Sequence, residues 1–393
     1  MEGFRLIERI GLQNLLSFGP EGSDLELEPL NVLIGPNGSG KSNLIAALSL
    51  LHAAPSDITV PIREGGGIAE WLWKGPPDSV GAIDVTVLWG DRNGSLRHHL
   101  AIEEIDHRAV VAEEEVRDGA DPLATRHPGP PAQTRVFWND QHAGAFVPQD
   151  LPERDLPQGR SIFSLSMDRR RFPGLMALRD AYDRMAIHAD WRFGPGSAAR
   201  QFQRADLLPE RVVPDGSNVA LVLNYLNSLG PPHRKVMELM RRLCDDLDQV
   251  SVQVLGGMVQ LLFHHTGMDA PVAGSRASDG ILRFLTLVCL LCHPDPPPLI
   301  CIEEPELGLH PDIIRTVAEL LVEASQRTQL IVTTHSDLLV SALSDVPEAV
   351  VVFERGPNGS EARRLEPDKL REWLKDYSLG DLWASGRLGG NRW

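Results

Sequence analysis

The sequence predicts an α/β fold, a mixed sheet flanked by helices, and three observations predict it. The run EPLNVLI is apolar like a buried strand and leads directly into a glycine-rich loop, IGPNGSGKSNL, at residues 34–44. A second apolar strand, Leu299 to Ile302, delivers two acids, Glu303 and Glu304, at its carboxyl end. A third, QLIVTTHSDLLVSAL, ends in His335. Doubly wound sheets place their chemistry at the carboxyl ends of such strands.

Taken in order, residues Leu6 to Leu33 read as strands that open a first lobe, and the helix SNLIAALSLLHAA comes after the loop. Gly35, Gly40, Lys41 and Ser42 fill the phosphate-loop pattern G-x-x-x-x-G-K-[ST]. From Gly35 through Asn37, Gly38, Ser39 and Gly40 to Asn43, the loop and helix start offer N–H groups to the phosphates of ATP. Lys41 would reach the β and γ phosphates, and the Ser42 hydroxyl would ligate Mg²⁺. From about Trp71 to Leu100 the alternation of AIDVTVLWG and SLRHHLAIEEI predicts antiparallel hairpins. Residues 117–134, rich in Pro and Gly, read as a mobile loop. Helices are predicted at FPGLMALRDAYDRM, VALVLNYLNSL and HRKVMELMRRLCDDLDQV, and a hairpin at VSVQVLGGMVQLLFHH, centred on Gly256 and Gly257. Ser278, Asp279 and Gly280 precede the apolar stretch ILRFLTLVCLLC as a helix N-cap able to hold an anion. At the acidic strand end, Glu303 fits the acid that holds Mg²⁺ and Glu304 the neighbour that orients or deprotonates the attacking water. His335 would be a polar sensor beside the γ-phosphate. A strand, AVVVFE, and a helix, PDKLREWLKDY, close the chain before LGDLWASGRLGGNRW, where Trp383 and Trp393 among glycines suit docking. The organisation expected is 1–115 for a first ATPase lobe, 116–250 for the loop and a compact helical insertion, and 251–393 for a second lobe.

Composition narrows the classes. The 393 residues exceed the size at which one core normally stops growing. A net charge of −16 argues against a surface that coats itself with nucleic acid or anionic lipid. No apolar tract is long enough to span a membrane and the N-terminus lacks a signal-peptide core, so a cytoplasmic protein is expected. Cys289 and Cys292 sit in CLLCH, a haem-attachment spacing, but inside an apolar segment where both thiols read as buried hydrophobes. A zinc site is not expected, since no second Cys or His pair stands at ligand spacing. Of the basic clusters, Arg241–Arg242 and Arg363–Arg364 are flanked by acids. Arg169, Arg170 and Arg171 are the candidates for salt-sensitive, sequence-independent DNA contact.

The motifs GPNGSGKSN, SDGILRF, IEEPELGLHP and IVTTHS, in that order, resemble the ABC-type ATPase head of the RecF, SMC and overcoming-lysogenization-defect group. The chain is similar, end to end, to bacterial ATPases of RecF type found in phage-defence and DNA-repair contexts. The resemblance implies a homodimer with ATP at the interface, each nucleotide lying between one P-loop and the partner's signature segment. Ser278 and Gly280 would contact the partner's γ-phosphate, His335 matches the switch histidine, and Leu307 to His310 matches the loop at the dimer seam. Two departures from the pattern stand out: Glu303 stands where transporters carry Asp, and the Mg²⁺-sensing glutamine has no clear place, the corresponding spot falling at Met167 with Gln158 a weak substitute.

The function expected is an ATP-hydrolysing dimeric switch in nucleic-acid-linked repair or anti-phage defence, signalling to a separate effector protein. A transporter motor is disfavoured because ASDGI stands in place of LSGGQ. A nuclease with its own cutting domain is disfavoured because only 58 residues come after His335, and a small-molecule kinase by the signature segment. The absence of sustained heptads excludes a long coiled-coil arm.

Overall fold

A computed structural model describes residues 1–75, 80–89, 94–127, 133–140, 145–152, 155–207 and 210–390. The chain forms two compact units, each assembled from stretches distant in sequence. One comprises Arg5–Met185, Val351–Leu365 and Leu388–Trp393; the other comprises Met1–Phe4, Ala186–Val350 and Glu366–Arg387.

The first unit opens with β1 (Ile7–Gln13), β2 (Ser23–Glu26) and β3 (Leu30–Ile34), then α1 (Lys41–Ala53), α2 (Thr59–Glu64) and α3 (Ile68–Trp71). Six strands come next: β4 (Val80–Trp89), β5 (Gly94–Ile105), β6 (Arg108–Asp118), β7 (Asp121–His127), β8 (Gln133–Asp140) and β9 (Ala145–Leu151), and then α4 (Pro173–Asp183). All but β3 of these strands make one eight-stranded antiparallel sheet in the order β2-β1-β4-β5-β6-β7-β8-β9. The expected hairpins at β4 and β5 are present, but the expected mobile loop at 117–134 is not. Residues 121–127 and 133 onward are strand, and of that stretch only 128–132 fall outside the described residues. Pro122 is accommodated because it is the second residue of β7, beside an irregularity in the β6–β7 register, where a missing N–H costs little.

A buried polar cluster ties this sheet to the chain between β9 and α4, and to α4 itself. Glu114 on β6 accepts from Ser161 Oγ (2.5 Å) and from Ile162 N (2.8 Å), while His98 on β5 lies 3.3 Å from Glu114 Oε1 and 2.9 Å from the Tyr182 hydroxyl on α4. With four polar side chains satisfying one another, the segment at 161–163 is held firmly against the sheet.

The second unit contains β10 (Ala186–His188), β11 (Gln203–Arg204), α5 (Val219–Leu229), α6 (Pro231–Leu243), β12 (Leu247–Leu255), β13 (Met258–His265), β14 (Val272–Ala273), α7 (Asp279–Leu291), β15 (Leu299–Glu303), α8 (Pro311–Ala324), β16 (Gln329–Thr333) and α9 (Asp337–Ser341). β10, β15 and β16 pair in parallel, with Glu303 opposite Thr333. The expected Gly-Gly hairpin is β12–β13, to which β11 and β14 add. α6 buries Val236, Met237, Leu239 and Met240 on one stripe, while α7 is buried over nearly its whole length. Cys289 lies buried within α7 and Cys292 at its end, both as free thiols.

Beyond these, β17 (Val350–Gly356) and β18 (Gly359–Arg364) pair antiparallel, with β3 beside β17 in the first unit. The helix expected at PDKLREWLKDY is only α10 (Pro367–Leu370) and a single 3₁₀ turn after it, because this segment buries no side chain that could hold a longer helix. α11 (Leu379–Ala384) is capped by Ser378 and Asp381 and packs on α9, with Ser378 Oγ 3.0 Å from Ser341 Oγ. Trp383 is 8% exposed within it, so its ring is buried and does not form a free docking element; Trp393 lies outside the described residues. The longest helix among the described residues, α8, has 14 residues, and no described helix is long and apolar enough to cross a membrane.

Candidate nucleotide site

β3 is buried at every position and ends where the glycine loop begins. Gly35 has φ 147°, and a side chain there would run into the Phe353 carbonyl of β17, so only glycine lets the loop turn this close to the neighbouring strand. Gly38 has φ 77° and open space where a Cβ would stand. Among the described residues, the N–H groups of Asn37, Gly38 and Gly40 donate to no backbone carbonyl, and α1 begins at Gly40 without a side-chain cap or an acid in its first turn. Uncapped donors at a helix start form a positive, open cradle, which fits phosphate oxygens. Lys41 is buried, its Nζ donating to the Gly35 and Pro36 carbonyls at 2.8 and 3.1 Å, so the cation is held across the loop. Ser39 is also buried, while Ser42 is exposed and Asn43 half-buried. Gln158 is exposed and uses its carbonyl to accept from Val111 N (2.8 Å) and Arg126 Nη2 (3.3 Å), and Met167 is half-buried.

In the second unit, Glu303 ends β15 and Glu304 adopts φ 45°. A left-handed conformation is costly for a residue with a Cβ and must be held by its surroundings. Here the Glu304 N–H donates to Thr333 O at 3.0 Å and its carbonyl accepts from Arg283 Nη1 at 3.2 Å. His335 is exposed just past β16, its Nε2 3.8 Å from Glu304 Oε1. Glu306 fixes that loop: its Oε1 accepts from Thr334 Oγ1 (2.6 Å) and from His335 N (3.1 Å), and burial pushes its carboxyl above the ordinary range.

The signature segment joins the same cluster. Ser278 is exposed and caps α7, its Oγ accepting from Ile281 N at 3.2 Å, and Asp279 pairs with Arg200. Gly280 abuts the loop after Glu304, since a Cβ there would come within 2.9 Å of the Gly308 carbonyl. Leu307 (56% exposed), in the loop after Glu304, and Leu338 (48%), on α9, are large apolar side chains left in water. Glu303, Glu304, His335, Ser278 and Gly280 therefore lie in one unit, and the P-loop residues lie in the other. Sequence reasoning misses Glu306 and Arg283. The first stands as the last acid of EEPE, but nothing in the spelling of SDGILRF marks the second.

The basic triplet is partly engaged. Arg169 pairs with Asp180 at 2.5 Å and Arg171 stacks over the Trp138 ring at 4.6 Å, while Arg170 is exposed. Arg242 pairs with Glu238 and Glu319, and Arg363 and Arg364 donate to the Leu388 and Glu26 carbonyls, so these clusters serve the fold.

The chain is similar to several known proteins. A family model described as "AAA domain, putative AbiEii toxin, Type IV TA system" matches residues 30–98 and 112–341. The Old nuclease of Escherichia phage P2 is 41% identical over 81 residues, which is 20% of this chain and only 14% of that protein. Among solved structures, an Smc head bound to the C-terminal winged-helix domain of ScpA aligns with a TM-score of 0.58 at 15% identity, over 94% of this chain and all of that one. The Smc head domain with an extended coiled coil from Pyrococcus furiosus, bound to the C-terminal domain of ScpA, gives 0.55 at 14% identity, over 94% and 99%. Those identities speak for the fold, an ABC/SMC-type head. The family match covers well over half of the residues, so the chain belongs to this AAA family and is an ATPase.

Proposed function

We propose that the chain is a dimeric switch that binds ATP between one copy's P-loop and another copy's signature segment, and that hydrolysis resets it. The observation that carries this reading is the connected cluster in the second unit. Glu304 is held in a strained conformation by Arg283 of the signature helix, beside His335, and exposed Ser278 and Leu307 accompany it. Glu304 acts as the group that positions water, His335 senses the γ-phosphate, and Ser278 with Gly280 serves the partner's nucleotide. Ser42 in the first unit and Glu303 in the second are each a hard oxygen donor of the kind that holds Mg²⁺, which when bound supplies charge neutralisation at the phosphates. Leu307 and Leu338 suit a surface covered by a second copy.

A role in anti-phage defence, acting through a separate effector, is supported by the toxin–antitoxin description of the family and by the nuclease named among its relatives. That nuclease also favours a second reading, an ATPase acting directly on DNA, for which exposed Arg170 is the candidate contact. The test is a pair of variants. Glu304→Gln should bind ATP, lose hydrolysis by at least about a hundredfold and accumulate dimers in ATP, whereas Lys41→Ala should lose ATP binding itself. Normal turnover in Glu304→Gln would remove that residue from its role.

A further inference from the structure

Three potential metal ligands converge in the second unit, and none of them is a residue assigned to ATP. Cys244 ends α6, its N–H donating to Met240 O at 3.1 Å; Asp246 lies in the turn before β12; His265 is the last residue of β13. The backbone fixes all three. Leu247 N donates to Cys244 O (3.0 Å), Thr266 N donates to Asp246 O (2.8 Å), and Leu247 pairs with His265 across the hairpin. Their side chains meet: Cys244 Sγ is 2.9 Å from Asp246 Oδ1, and His265 Nδ1 is 3.2 Å from Asp246 Oδ2. One ligand atom from each lies within 4.8 Å of the other two.

Around a tetrahedral Zn²⁺, with bonds of about 2.0–2.3 Å, ligand atoms stand roughly 3.3–3.6 Å apart, so small side-chain movements would bring this set to bonding distance. Thiolate and imidazole select a borderline or soft ion and disfavour Mg²⁺ or Ca²⁺. We propose that Cys244 Sγ, an Asp246 carboxylate oxygen and His265 Nδ1 form a binding site for a divalent transition-metal ion of the zinc class, with water in the fourth position. On binding, the Cys244 thiol releases its proton to solvent and sulfur donates to the metal; no redox change is involved. The Asp246 side chain is 59% exposed and that of His265 13%, which leaves an entry path and room for the water. A bound ion would fasten the end of α6 to the end of β13.

The experiment uses the full chain, stripped with a chelator and titrated with Co²⁺ and with Zn²⁺. Wild type is expected to bind one ion per chain, to show a thiolate-to-cobalt charge-transfer band, and to melt at a higher temperature in Zn²⁺. Cys289, Cys292 and Cys301 are buried, so the band should report Cys244. Cys244→Ser should abolish it, and His265→Ala and Asp246→Asn should each weaken Zn²⁺ binding at least tenfold. ATP hydrolysis should stay within twofold in all three, which checks that the variants fold. A wild type without the band, a band that survives Cys244→Ser, or unchanged Zn²⁺ affinity in His265→Ala would overturn the site.

Discussion

A buried guanidinium is expensive unless its donors are used, and Arg283 uses them on two carbonyls, those of Glu304 (3.2 Å) and Trp191 (3.0 Å), beneath the rings of Trp191 and Phe193. Burial lowers its pKa while Glu306, Glu304 and Asp279 oppose that shift, so the charge is retained near the acids. Lysine has no fork to span both carbonyls. Arg283→Lys should therefore slow hydrolysis about tenfold or more while ATP affinity changes little, a split that single-turnover and binding measurements resolve. His188 poses a different problem. It is buried on β10 against Trp191, neither ring nitrogen has a partner among the described residues, and burial pushes its pKa down to about 4 from 6.5. The unfolded chain thus takes up a proton at higher pH than the folded one, so stability is lost as pH falls from 6.5 towards 4. The whole effect is of order 3 kcal/mol. His188→Phe should flatten this slope in urea unfolding across that range; parallel curves for the two proteins would show that other groups set it.

At the scale of elements, what was legible in the sequence was whatever one local rule decides. β3, the glycine loop and α1 follow from an apolar run, positive-φ glycines and helical spacing; β15 and β16 follow from apolar runs ending in acids and in His335. Elements that depend on partners were not legible. β7 and β8 look like loop because of Pro122 and their glycine-rich surroundings, and become strand only because β6 and β9 pair with them. PDKLREWLKDY has helical composition, yet buries none of its side chains. Cys244 and His265 are too far apart in sequence to show a ligand spacing, and the β12–β13 hairpin brings them together. Gly280 belongs to the same class, since its reason is the Gly308 carbonyl across from α7. For Gly280→Ala two effects compete: helix propensity gains up to about 1 kcal/mol, and crowding a backbone carbonyl costs about 1–3 kcal/mol. In the first turn of α7 the crowding should win. The expected loss is about 1 kcal/mol by denaturant unfolding, together with slower ATP turnover as the loop at 307–310 is displaced. A more stable variant with normal turnover would show that the contact is slack.

At the scale of the whole molecule, the question is whether one chain contains a complete site. Each copy carries a net charge of −16, so two copies repel at long range, and an association that depends on ATP needs short-range contacts strong enough to overcome this. Exposed Leu307 and Leu338, in the same unit as exposed Ser278, are suited to supply them. A test by complementation separates sharing from self-sufficiency. Ser278→Arg should bind ATP and fail to hydrolyse it, and Lys41→Ala should fail to bind. If Lys41 of one copy and Ser278 of the other serve the same nucleotide, a mixed dimer places both defects in one site and leaves the second site intact. Random mixing in equal amounts makes half the dimers mixed, each with one working site of two, so turnover should return to about a quarter of wild type. If each copy served only its own nucleotide, every site in the mixture would carry one defect and turnover would stay at the level of the separate variants. Mass photometry of the mixture in ATP establishes that mixed dimers are present. With them present, silence in the hydrolysis assay would sink the shared site and the switch built on it.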